Sequence, residues 1–159
     1  MPHRYLVKEF EQFARSTDDS ESVMQRLCQR IHAHIPRYNW VGFYLVDRRD
    51  PNTLVLGPHT GSFTPTPKIS VGQGLCGSAA LTRRVVVVDD VTADPRYLRV
   101  SDMVRSQISV PISIGGTLFG VMNIESYFVD TFKPTVEREF AETCVRIVAS
   151  CVERAAVMA

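Results

Sequence analysis

The sequence predicts an α+β domain: an antiparallel sheet with helices on one of its faces. Three observations carry this. Apolar residues recur every three or four positions at both ends of the chain, the helical period. In the middle, "NWVGFYLVD" and "QISVPISIGGTLFGVMNIES" hold the alternating or continuous apolar pattern of strands. The strands come as pairs closed by short turns, flanked by the terminal helices, so neighbours run antiparallel.

Taken in order, residues 3–15 read as a helix with Leu6, Phe10 and Phe13 on one stripe. "STDDSES" interrupts it, and Asp18 with Glu21 three residues on resembles the capping box that opens a second helix. That helix carries Val23, Leu27, Ile31 and Ile35 on one face. In residues 39–47, Trp40, Gly42, Tyr44 and Val46 alternate with Val41, Phe43 and Leu45, a strand covered on both sides. "DRRDPNT" is a turn, "LVLG" the returning strand, and "GPHTGSFTPTPKIS" a loop. After "VGQG" comes a short helix from about Leu75 to Thr82, then the apolar strand "VVVVDD" and the turn-rich "VTADPRYLRVSDMV". Residues 107–126 form a hairpin that turns at "GG". The last helix runs from Pro134, suited to a first helical position, to Val157, with Phe140, Cys144, Ile147, Cys151 and Ala155 as its apolar stripe.

This is one domain over residues 1–159: terminal helices in 1–35, sheet and loops in 36–132, and the closing helix in 133–159. The terminal helices cover one sheet face, and their stripes also offer a seam for a homodimer. Loops 57–76 and 90–105 cover the other face, and a cavity beneath them is the natural ligand site.

A net charge of +1, from 18 basic and 17 acidic residues, leaves no electrostatic footprint for nucleic acid or an anionic membrane. No apolar run is long enough to span a bilayer, and the charged N-terminus is not a signal peptide, so the expected location is the cytoplasm. The four cysteines, Cys28, Cys76, Cys144 and Cys151, form no CxxC pair and read as reduced, buried thiols. Four histidines without ligand spacing give no metal site, and no cofactor is called for; His59 alone lies where a haem ligand could.

Several stretches resemble the GAF domain family: "VVDDVTADPRYL" is similar to a segment of GAF sensor domains. "NWVGFYLV", "LVLGPHTG", "ISVGQGLCG", "SQISVPISIGGTLFGVMNIES" and "DTF" more specifically resemble free methionine-(R)-sulfoxide reductases, single GAF domains acting on the free amino acid. The resemblance spans roughly residues 36–150 and implies a GAF-like fold. It also implies where that family's chemistry would fall. Its first cysteine aligns with Thr66, its loop cysteine with Cys76, and the cysteine that attacks the sulfoxide with Val100. The carboxylates that hold the substrate's ammonium and the sulfoxide proton align with Gln107, Asn123 and Glu125. Trp40 and Tyr44 match the aromatic wall of its pocket.

The candidate ligand-binding residues are therefore Trp40, Tyr44, Cys76, Gln107, Asn123 and Glu125. Cys76 is the sole, weak catalytic candidate. A helix first turn lowers a thiol pKa, yet a cysteine between glycines also simply fills a small hole. Trp40 and Tyr44 are otherwise plain core, and Gln107, Asn123 and Glu125 a solvated strand face. Aimed at one cavity, the glutamate and two amides suit a polar or partly cationic ligand. The first reading is a non-enzymatic small-molecule sensor that dimerises through its terminal helices. The alternatives are a divergent sulfoxide reductase or other thiol enzyme, and a dimerisation scaffold with no ligand.

Overall fold

A computed structural model of the protein describes residues 2–158. Helices α1 (Pro2–Arg15) and α2 (Ser20–His34) precede strands β1 (Trp40–Val46), β2 (Thr53–Gly61) and β3 (Lys68–Ser70). Helix α3 (Gly74–Thr82), strand β4 (Val86–Val88) and a 3-10 turn at Val91–Ala93 follow. Strands β5 (Ser106–Ile114) and β6 (Thr117–Ser126) then form the hairpin, and helix α4 (Thr135–Met158) closes the chain. The sheet has the order β3-β2-β1-β6-β5-β4, with every neighbouring pair antiparallel.

The alternation in β1 sorts its side chains as expected. Val41 and Phe43 join Leu6, Phe10, Leu27, Ile31, Ile108, Val110, Cys144 and Val148 in the core beneath α1, α2 and α4. Trp40 and Tyr44 go to the opposite face and pack with Ile69, Cys76, Ala79 and Val121 under α3. At the far end of the helix layer, Tyr38 Oη donates to Glu137 Oε1 at 2.9 Å, and His3 Nε2 lies 2.9 Å from Glu137 Oε2, tying α1 to the first turn of α4.

The structure corrects several expectations. The cap of α2 is Asp19, not Asp18: its Oδ1 accepts from the backbone N–H groups of Glu21 and Ser22. The buried stripe of α1 is His3, Leu6, Phe10 and Ala14. Phe13 is half-buried under the Arg26 guanidinium, 4.1 Å from the ring centroid. β2 runs through "GPHTG" to Gly61, and β3 occupies part of the expected loop. A bulge between Gly42 and Tyr44 absorbs Gly57 and Pro58. β3 pairs only with Thr53–Val55, so Pro58 lies on the part of β2 without that neighbour, where a missing N–H is tolerated.

The apolar stripes offered as a dimer seam are spent inside the protomer: Leu6, Phe10, Phe140, Ile147 and Cys151 are all buried. Among the described residues, no helix is long and apolar enough to cross a membrane, and no cluster of metal-ligating side chains occurs.

Candidate functional site

The antiparallel register brings distant polar residues to one spot. Gln107 stands opposite Glu125, and Ser109 opposite Asn123, on β5 and β6. On the other side of β6, Trp40 stands opposite Glu125 and Gly42 opposite Asn123. Residues two apart on a strand share a face, so Gln107, Ser109, Asn123 and Glu125 form a polar square on the sheet, away from the terminal helices. All four are buried.

A cavity of about 30 Å³ lies over this square, room for one or two waters or the head group of a small molecule. Tyr44, Gln107, Asn123 and Glu125 form its floor. Gln73, Gly74, Leu75 and Cys76 at the start of α3 form one wall, while Thr66, Tyr97, Leu98 and Val100 close the roof. Tyr44 Oη donates to the Thr66 carbonyl at 2.8 Å, pinning floor to roof. Leu98 packs over Gly74, where a Cβ would come within 2.9 Å of it and where φ is +71°, so this contact requires glycine. A much larger open groove of about 1070 Å³ runs between α2 and the β1–β2 edge. Its polar wall residues Glu21, Gln25, Gln29 and Arg48 are exposed, so it holds no desolvated polar group comparable to the square.

Within the square, Gln107 Nε2 donates to Asn123 Oδ1 at 2.7 Å and to Ser109 Oγ at 3.2 Å, and Ser109 Oγ donates to Asn123 Oδ1 at 2.7 Å. These bonds use Gln107 Nε2 and Asn123 Oδ1 and leave Gln107 Oε1 and Asn123 Nδ2 without a protein partner among the described residues. Glu125 has no such partner either. Among the described residues its carboxyl makes no hydrogen bond or ion pair, and burial alone pushes its pKa up to about 8. Two other groups are left over: Tyr97 Oη and Trp40 Nε1 are buried without partners. Burial, then the neighbouring Glu125, raises the Tyr97 phenol to about 12.

Cys76 is buried, and burial followed by the Glu125 carboxylate pushes its thiol far above the ordinary range. The expected helix-terminus activation is overridden. Cys28, Cys144 and Cys151 pack with Val41 and Phe43 beneath the helices, whereas Cys76 packs with Trp40 and Tyr44, so the sheet stands between Cys76 and every other thiol.

The structure thus brings Tyr44, Cys76, Gln107, Asn123 and Glu125 to one cavity and sets Trp40 apart. Trp40 is on the same face but sealed. Its indole rests against Gly42 and Gly61, where a Cβ would approach ring atoms within 2.3 Å and 2.2 Å. Rings of His59, Phe63 and Tyr44 stack around it at 5.8–6.1 Å. His59 itself is exposed, hydrogen-bonds the Gly57 carbonyl and does not line the cavity. Ser109 and Tyr97 are additions. Ser109 was legible, two residues after Gln107 on one strand; Tyr97 lies in an irregular segment without a period to aim it.

A family model described as "GAF domain" matches residues 17–153. Free methionine-R-sulfoxide reductase of Saccharomyces cerevisiae is 36% identical over 116 residues, covering 72% of this chain and 63% of that protein. Protein YtsP of Bacillus subtilis is 29% identical over 150 residues, 92% of this chain and 91% of that one. The X-ray structure of free methionine-R-sulfoxide reductase from Neisseria meningitidis in complex with its substrate is similar with a TM-score of 0.90 and 29% identity, covering 99% of this chain and 92% of that one.

Proposed function

This chain belongs to the GAF domain family, and we propose that it binds a small molecule in the sheet cavity without transforming it, and pairs as a dimer through its terminal helices. One observation carries the reading: the cavity holds a buried carboxyl with no protein partner, Glu125, but a single thiol that burial keeps protonated, Cys76. A buried polar group without a partner costs roughly 1–3 kcal/mol, which a bound ligand would return. Sulfoxide reduction needs more than a cavity. One thiolate attacks the sulfur, the oxygen leaves as water, and a second thiol closes a disulfide and releases the thioether. Val100, where the resemblance places the attacking cysteine, lines the cavity but has no nucleophilic atom.

The similarity to two free methionine-R-sulfoxide reductases favours a second reading, a divergent reductase working through Cys76. The two separate cleanly. Incubation with methionine R-sulfoxide and a dithiol should yield no methionine above background. Turnover that disappears in Cys76→Ser would establish the reductase and overturn our reading.

A further inference from the structure

The donors and acceptors around the cavity are unequal in number, and the imbalance points to a ligand class. The N-cap of α3, Gln73, makes no side-chain capping hydrogen bond. Gly77 N–H returns to the Gln73 carbonyl, but among the described residues the N–H groups of Gly74, Leu75 and Cys76 have no acceptor. These three residues line the cavity, so the positive end of a nine-residue helix borders it. Tyr97 Oη is a fourth unused donor. Opposite them is Glu125, 5% exposed, without hydrogen bond or ion pair, aimed into the same space. Gln107 Nε2, Ser109 Oγ and Asn123 Oδ1 are occupied with one another, which leaves Asn123 Nδ2 as a further donor and Gln107 Oε1 as one further acceptor.

Among the described residues, no Asp, Glu, Lys or Arg other than Glu125 lines the cavity. The titratable side chains set against Glu125 are Cys76 on α3, Tyr44 on β1 and Tyr97 on the roof, and burial raises the pKa of all three. Across the sheet it faces Gln107 and Trp40. The charged pair on the roof segment, Arg99 and Asp102, is exposed and satisfies itself at 3.3 Å.

We propose that the cavity takes the carboxylate of a small organic acid that carries no ammonium group, held by the first-turn N–H groups of α3 and Tyr97 Oη–H, with Glu125 donating its proton as the neutral acid. This rests on the small-molecule-binding reading and specifies its ligand. An ammonium group would meet the positive end of α3 and a majority of donors, and would find only the Glu125 carboxyl and Gln107 Oε1 to pair with. A carboxylate finds mostly donors while Glu125 keeps its proton, the first-turn N–H groups of α3, Tyr97 Oη and Asn123 Nδ2. The apolar remainder of the acid would lie against Ile69, Leu98 and Val100, with the roof displaced, since about 30 Å³ admits only the head group.

The test titrates the whole chain, by calorimetry and thermal shift, with matched pairs: pyruvate against alanine, and 4-methyl-2-oxopentanoate against leucine. Ethylammonium serves as a bare cation and isobutanol as a neutral probe. The 2-oxo acid should bind roughly tenfold or more tightly than its amino acid near pH 6, and lose that affinity near pH 9 as Glu125 ionises. Glu125→Gln should bind the 2-oxo acid near pH 6 and lose the pH dependence, while Tyr97→Phe should weaken binding roughly tenfold without shifting the ligand-free melting point by more than about 2 °C. Amino acid or ethylammonium binding better than the 2-oxo acid, or affinity rising with pH, overturns the proposal but keeps the small-molecule reading. So does binding of the neutral probe alone. Silence from every probe overturns both.

Discussion

At residue scale, Cys76 and Glu125 show which local effect wins. A helix first turn stabilises a thiolate by about 0.3–1 kcal/mol, and at most about 2. Burying that thiolate shifts its pKa by as much as several units, each worth about 1.4 kcal/mol, so burial decides. The same physics makes Glu125 a pH-dependent liability. Below its ordinary pKa of 4.5 the carboxyl is protonated both folded and unfolded, and its burial carries no ionisation penalty. Between 4.5 and about 8 the folded protein keeps a proton that the unfolded chain has released, so stability falls as pH rises through this window. Glu125→Gln carries no such proton. Its melting temperature relative to the parent should climb from about pH 5 to about pH 9, equivalent to on the order of a few kcal/mol. A constant difference over that range would show that Glu125 is already ionised in the folded state.

At element scale, α2 illustrates how one residue of offset matters. Asp18 and Asp19 both precede the helix, and only Asp19 has the extended backbone, φ −88° and ψ 95°, that turns its carboxylate onto the free N–H groups. Its hydrogen bonds to Ser22 and Glu21 hold its pKa below 3.8. Asp19→Ala should lower the melting temperature by roughly 2–4 °C at neutral pH, whereas Asp18→Ala should leave it within about 1 °C. The Asp19 contribution is present above its ordinary pKa of 3.8 and fades as pH falls through the lower folded value, so the difference between parent and variant should shrink as pH drops below 3.8. Equal losses from both substitutions would place the cap elsewhere. In β2 the local sequence predicts a strand end at Gly57 and Pro58, residues that usually end a strand. The bulge opposite β1 carries the strand past them, and that pairing belongs to β1 rather than to β2's own sequence.

At the scale of the whole molecule, the terminal helices fold onto their own sheet, and their stripes are consumed there. The proposed two-fold pairing therefore falls to their outer surfaces, where Tyr5 on α1 and Val136 and Val157 on α4 are exposed. Sedimentation at micromolar concentration should give a dimer, and Tyr5→Glu should give a monomer with an unchanged circular dichroism spectrum. A parent chain that sediments as a monomer would remove dimerisation from the proposed function and leave the cavity untouched.

Periodicity was enough to determine the helices at both ends, the two-sided burial of β1, the long hairpin, and that Trp40 shares a strand face with Tyr44 and Asn123 with Glu125, because side-chain direction along a helix or strand depends on local backbone geometry alone. Tertiary structure decided the rest. Only the register of β1, β6 and β5 sets Gln107 beside Glu125 and lets the amides close on each other. Only the roof from Thr66 to Val100 removes water from Glu125, raising its pKa and silencing Cys76. Burial and unpaired donors are properties of residues far apart in the chain brought together in space, and no local pattern encodes them.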